Sequence, residues 1–127
     1  MMDTDLAYEI LDQIEESIAR ILHYFAPINN PNEFSDNLDN QMRLDAIGMM
    51  LIAIGENLKK LDKVIEPSLV KRFPDIDWKG AKGIRDILSH SYFQIQPEVI
   101  FQTCQEDIPI LYRTIKCLKL SLKTNTK

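Results

Sequence analysis

An all-α fold, an up-and-down bundle of four main helices plus one short helix, is what this sequence predicts, and three observations carry that expectation. Apolar residues recur every three or four positions through several long stretches. No stretch alternates apolar and polar residues in the manner of a half-buried strand. Clusters of proline and asparagine interrupt the periodic stretches where turns belong. With 127 residues, 45% of them hydrophobic, the chain reads as one domain over 1–127, large enough for a real core and too small for a second.

Asp3 or Thr4 caps the first helix, in which Ala7, Ile10, Leu11, Ile14, Ile18, Ile21 and Phe25 share one core stripe. His23 falls on the opposite face and reads as a surface histidine. Pro27, Asn29, Asn30, Pro31 and Asn32 end the helix and open a polar connection running to about Asn37. A second helix, roughly Asp39 to Leu61, aligns Leu44, Ile47, Leu51, Ile54, Leu58 and Leu61, with Gly48 and Gly55 in the same stripe. Each glycine costs about 1 kcal/mol against alanine in a helix, a loss that marks close approach of a neighbouring helix or chain. Met42, Met49, Ile52 and Ala53 make the other side apolar as well. A helix apolar nearly all round is covered on both sides, which in so small a domain implies a homodimer interface.

Pro67 starts a short helix, Ser68 to Phe73, and Pro74 ends it. A further helix entered from an N-cap at Asp77 puts Ala81, Ile84, Ile87 and Leu88 on one face. Gly80 and Gly83 in its first turns permit close packing of helices or approach of an RNA backbone, packing being the commoner use. After Gln96 and Pro97 the last helix carries Ile100, Phe101, Cys104, Ile108, Leu111, Ile115, Leu118 and Leu122 on one stripe. Pro109 lies on its polar side, removes one backbone donor and predicts a kink.

No apolar run reaches the roughly eighteen residues a membrane span requires, so a soluble, cytoplasmic protein is expected. Cys104 and Cys117 lack metal-ligand spacing and would face different sides of one helix, so both read as bland thiols. The net charge of −4 is unevenly distributed. Residues 1–66 hold 13 acids against 5 bases, and residues 67–127 hold 6 acids against 10 bases. Arg113, Lys116, Lys119, Lys123 and Lys127 follow one another with no acid from residue 108 onward, forming a basic tail from about Lys119. That tail suits an RNA strand or an acidic partner, and it equally suits a solvated helix end where lysines favour the dipole.

The chemistry concentrates between Trp78 and Phe93, WKGAKGIRDILSHSYF, where Arg85, His90 and Tyr92 read R-x4-H-x-Y. Arginine clamps phosphate with a planar fork of donors, and imidazole carries a proton either way near neutral pH. At 3.6 residues per turn Arg85 and Tyr92 lie nearly in line, while His90 points roughly 140° away from Arg85. Either the helix frays before His90 or a second protomer completes the site across a two-fold axis, and the second arrangement is favoured here. Asp86, four residues before His90, is placed to orient its ring or to stand as a surface acid. Glu56 lies amid the second apolar surface of its helix, near Met49 and Ile52, and needs a partner such as Arg85. It then either supports the site or simply orients that arginine. Ser89 and Ser91 flank the histidine without the base and oxyanion hole a serine nucleophile requires. No Asp/Glu/His cluster has ligand spacing, so no metal or cofactor is expected and a two-metal nuclease is disfavoured.

The segment resembles the HepT toxins of the HEPN superfamily, whose signature is R-x4-H-x-Y. The resemblance runs from about Asp5 to Leu118 through four ordered blocks: LIAIGENLKKL (Leu51 to Leu61), RFPDIDW (Arg72 to Trp78), GIRDILSHSYF (Gly83 to Phe93) and EDIP (Glu106 to Pro109). It implies a metal-independent endoribonuclease acting on RNA, tRNA among the candidates, and forming the toxin half of a toxin and antitoxin pair. Arg85 and His90 would be its catalytic residues. It also implies that a nucleotidyltransferase antitoxin of the MntA type attaches AMP to the motif tyrosine, here Tyr92. A second class of function stays open on the residues alone: a non-catalytic dimeric helical adaptor, with Arg85 and Tyr92 binding nucleotide or the partner and His90 in a structural hydrogen bond.

Overall fold

The computed structural model of the chain describes residues 3–74 and 96–124. Among the described residues the regular elements are all helical. Helix α1 spans Thr4–Phe25 and starts where Asp3 accepts a 3.0 Å hydrogen bond from the Leu6 amide, one of the donors a helix start leaves unpaired. Helix α2 spans Leu38–Val64 and is capped by Asn37, whose side chain accepts from the Asn40 amide. The short α3, Leu69–Arg72, follows Ser68. The last helical run comprises α4, Pro97–Gln102, a π turn over Thr103–Asp107, and α5, Ile108–Thr124. The described residues therefore hold three long helical runs instead of four, together with the expected short one. The fourth expected helix, with its cap at Asp77, lies outside the described residues.

The predicted stripes form one core. Ala7, Leu11, Ile14, Ile18 and Ile21 of α1 meet Ile47, Leu51, Ile54, Leu58 and Leu61 of α2, and Ile100, Cys104, Ile108, Ile115, Leu118 and Leu122 close the third side. Burying each such aliphatic side chain contributes about 1.5–3 kcal/mol before the entropy of ordering is set against it. Gly48 and Gly55 are buried in the same face of α2. Leu44 and Phe25 are only partly buried.

The last run lies antiparallel to α1. Near one end the Tyr8 hydroxyl donates to the Lys119 carbonyl at 2.7 Å, and at the other the rings of Phe25 and Phe101 meet edge-on at 5.2 Å. Pro109 produces a π turn where a kink was expected. Its ring would collide with the carbonyl four residues back, and the wider turn just before it relieves the clash, with the Ile108 amide donating to the Thr103 carbonyl five residues earlier.

One expectation needs correction. The connection after α1 is not simply polar: Pro31–Ser35 forms a 3₁₀ turn whose Phe34 is wholly buried, and Ile28 is buried beside it. Asn30 and Glu33 hold the turn by accepting from the Asn32 and Asn29 amides, and this local polar scaffold lets the phenylalanine point inward. Part of the basic tail is engaged within the chain. The Lys119 ammonium is 2.6 Å from Asp12 and 3.6 Å from Glu15, and Lys116 lies 4.2 Å over the Tyr112 ring. The sequence split of charge hid this pairing because α1 and α5 are distant in the chain.

The hydrogen bond to Asp12 raises the Lys119 pKa above its ordinary value, partial burial opposes it, and the Glu15 charge adds to the rise. A raised ammonium pKa contributes stability that is complete below the unfolded lysine value of about 10.4 and disappears as pH rises through the folded value. Wild type should thus melt above Lys119→Met at pH 8, by no more than about 1 kcal/mol for so exposed a pair. That margin should shrink as thermal unfolding is followed above pH 10.5; a margin independent of pH would assign the effect to packing.

Candidate active site

Of the five residues singled out from the sequence, Glu56 falls within the described chain. Arg85, Asp86, His90 and Tyr92 lie outside the described residues, as do Gly80, Gly83, Ser89 and Ser91. The structure places Glu56 and the frame that receives the motif segment.

Glu56 is half-buried on α2, and it is not an unpaired carboxylate. It continues a line of residues along one side of that helix. Met42, Met49 and Glu56 recur at intervals of seven, which keeps them on one face, and Leu38 and Ile52 flank them. Leu38, Met42 and Met49 are 75%, 67% and 59% exposed within the single chain, so this face does not belong to the core that the opposite stripe of α2 builds. A strip carrying exposed Leu38, Met42 and Met49, interrupted by the exposed Asp45, therefore runs along the outside of α2 to Glu56.

The frame on either side of the motif segment is tied down by specific contacts. Before it, the Asp62 carboxylate accepts from the Leu69 amide at 3.1 Å, and Leu69 is fully buried. Arg72 then spreads its guanidinium over three acceptors: the Pro67 carbonyl at 3.0 Å, the Glu66 carbonyl at 2.6 Å and the Ser121 hydroxyl at 3.4 Å. A single arginine thus fastens the turn before α3, and α3 itself, to the end of the last helix. After the motif segment, the Gln96 carbonyl accepts from the Val99 and Ile100 amides, and Pro97 occupies the first turn, where a missing donor costs nothing. The described chain leaves off at the end of the bundle where Arg72 reaches Ser121, and resumes at the other, where Phe101 meets Phe25.

Side chains outside this frame offer little chemistry. His23 is exposed, with its ring 5.8 Å from that of Tyr24, as expected of a surface histidine. Cys104 is buried and its thiol is pushed up to about 12 by desolvation, so it stays protonated and unreactive; Cys117 is exposed, and both are free. Among the described residues no group of three or more His, Cys, Asp or Glu side chains is gathered to hold a metal ion, and no helix is long and apolar enough to cross a membrane.

Sequence reasoning missed three polar positions that the structure brings forward. Arg72 was visible only as part of a block, because its acceptors are two backbone carbonyls and a hydroxyl 49 residues away. Ser17 and Asn57 are each 8% exposed, embedded in the core-facing sides of α1 and α2. The available signal was a polar residue between apolar ones at helical spacing: Ser17 among Ile14, Ile18 and Ile21, and Asn57 among Ile54, Leu58 and Leu61.

Comparison with known proteins identifies the family. The family model described as "Ribonuclease HepT-like" matches residues 14–118. A probable ribonuclease HepT of Thermococcus cleftensis is 33% identical over 104 residues, covering 81% of this chain and 86% of the relative. A candidate RNase of Methanocaldococcus jannaschii is 28% identical over 109 residues, 86% of this chain and 89% of the relative, and another from the same organism is 32% identical over 92 residues, 70% and 73%. No solved structure matches. With most of its length matched by the family model and similar to such relatives, the chain belongs to the HepT-like ribonuclease family.

Proposed function

We propose that this protein is the toxin of a toxin and antitoxin pair, a metal-independent endoribonuclease that works as a homodimer. The observation that carries the reading is that the family-matched span, residues 14–118, contains Arg85, His90 and Tyr92 in the order R-x4-H-x-Y. RNA brings its own nucleophile. His90 takes the proton of a 2′-hydroxyl, the oxygen attacks the adjacent phosphorus, the 5′-oxygen of the next nucleotide leaves, and a cyclic phosphate remains. Arg85 stabilises the charge that gathers on the non-bridging oxygens. Asp86 orients the imidazole, and Glu56, at the end of the outer strip of α2, holds the arginine of the site in place.

The exposed Leu38, Met42 and Met49 support the dimer, since a second copy is an economical cover for an apolar strip that the chain's own core does not use. A dimer also answers the angular problem of the motif, because positions 85 and 90 of a regular helix would lie roughly 140° apart. Neutralisation follows from the same geometry. A nucleotidyltransferase antitoxin of the MntA type transfers AMP from ATP to Tyr92, which sets a phosphate beside Arg85 and fills the place of the RNA phosphate.

The test is to incubate the purified protein with total tRNA and with messenger RNA. Cleavage should proceed unchanged in EDTA, leave 2′,3′-cyclic ends, and stop once a nucleotidyltransferase partner and ATP have added 329 Da, about the mass of one AMP residue, to Tyr92. Activity lost in EDTA and restored by a divalent ion would overturn the mechanism.

A further inference from the structure

Helix α2 changes its charge along its length. Residues 27–56 hold 5 acids against 1 base, and residues 57–74 hold 2 acids against 5 bases. The change falls just after Glu56 and on the same side of the helix. The interval of seven that joins Met42, Met49 and Glu56 continues to Lys63, and Lys60 stands one turn beyond Glu56. The outer face of α2 therefore passes from exposed apolar side chains, through a carboxylate, to two lysines. At 1.5 Å per residue the second of these is about 10 Å along the axis from Glu56.

Lys60, Lys63 and Lys71 are exposed, and among the described residues none of the three is in an ion pair. The two acids of this stretch lie elsewhere: Asp62 accepts from the Leu69 amide, and Glu66 is in the turn before α3. The Asp62 bond brings α3 to the end of α2, and the Arg72 hydrogen bonds to the Glu66 and Pro67 carbonyls and to Ser121 hold it there. Lys71, two residues beyond Leu69, is thereby carried at the same end as Lys60 and Lys63. Helix α1 packs its apolar side on the core face of α2, so its acids are across the core from this surface. The tail that sequence order singles out is less available, with Lys119 on Asp12 and Glu15 and Lys116 over Tyr112.

Lysines on long stems, without carboxylate partners and carried on a fixed backbone, suit an anion whose charges recur along a chain. A nucleic-acid backbone is such an anion, and an ammonium meets each phosphate as a point charge. Continuity with the face of Glu56, which the proposed function sets beside the catalytic arginine, favours the substrate over an acidic protein. Resting on the ribonuclease reading, we propose that Lys60, Lys63 and Lys71 form a track for the phosphate backbone of the RNA substrate, holding nucleotides that extend from the cleavage site toward α3. The track positions the strand and does not read its bases.

The probe is a fluorescein-labelled single-stranded 2′-O-methyl RNA, which cannot be cleaved through its 2′-oxygen. Its affinity for the full-length protein is followed by fluorescence anisotropy from about 50 to 200 mM KCl. Lys60→Gln with Lys63→Gln should flatten the slope of log affinity against log salt by about 1.4, that is about 0.7 for each phosphate contact on a single strand, and Lys71→Gln by about 0.7. Lys60→Arg with Lys63→Arg should keep the wild-type slope, since the charge is retained. Arg113→Gln removes an exposed charge from α5 and should leave the slope as it is. All four side chains are exposed, so these variants leave the core intact. A slope unchanged in the double glutamine variant, or flattened as much by Arg113→Gln as by Lys63→Gln, would overturn the proposal. So would a poly-glutamate that binds wild type as tightly as the RNA does and loses that binding in the double variant, which would give the surface to an acidic protein. No binding of the probe at any salt would overturn the track and the RNA substrate together. A flattened slope with no cleavage of the unmodified strand would sink the nuclease and leave the track assigned, whereas cleavage with an unchanged slope would do the reverse.

Discussion

On the proposed mechanism, replacing His90 with alanine should lower the rate of RNA cleavage by about 10²- to 10⁴-fold, the usual worth of a positioned general base, and leave the helical content unchanged. His23, the other histidine of the sequence, is exposed and packed edge-on against Tyr24. Arg85→Ala should cost about 10²- to 10³-fold, as the loss of an oxyanion donor does, and Arg85→Lys should recover only part of it because an ammonium lacks the planar fork. If the two residues act across a two-fold axis, mixing inactive His90→Ala protomers with inactive Arg85→Ala protomers restores one intact site per heterodimer and with it a share of the activity. Equal activity in wild type and His90→Ala would instead leave a dimeric helical adaptor, above all if partner binding persisted. The measurement is the initial rate of cleavage of a defined RNA at matched protein concentration.

Phe34→Ala should destabilise the protein by about 3–5 kcal/mol, the range for emptying a fully buried aromatic site. Phe34 has no exposed surface and lies in a short 3₁₀ turn, its ring 6.5 Å from that of Phe25, which in turn meets Phe101. Removing it opens a cavity where α1, the turn and α4 come together, at the end of the bundle where the described chain resumes after the motif segment. Phe34→Leu, which keeps most of the volume, should cost well under half as much. The difference is read from urea midpoints at constant slope. A loss under 1 kcal/mol would mean that the turn is not anchored by this ring.

The first prediction draws on residues legible in the sequence, the second on packing that was not. The core faces of α1, α2 and the last helix were read almost residue for residue, because an amphipathic helix repeats its burial every 3.6 positions and a run of a dozen residues averages out exceptions. The first cap was legible for the same local reason, Asp3 being one of two short polar side chains just ahead of apolar periodicity, whereas Asn37 was read only as the end of the connection. Phe34 was not, since one aromatic in a stretch of Pro, Asn, Ser and Asp has no period to betray it.

The candidate site divides along the same line. The residue types and spacing of Arg85, His90 and Tyr92, and the all-helical class itself, reside in the order of the amino acids, because they depend on side-chain chemistry and on neighbours three or four positions away. Which lysines of the tail are already neutralised, that Arg72 binds α3 to Ser121, that Pro109 yields a π turn, and that Ser17 and Asn57 share one groove all depend on which helices pack together. Those contacts join residues tens of positions apart, and only the folded bundle brings them within reach of each other.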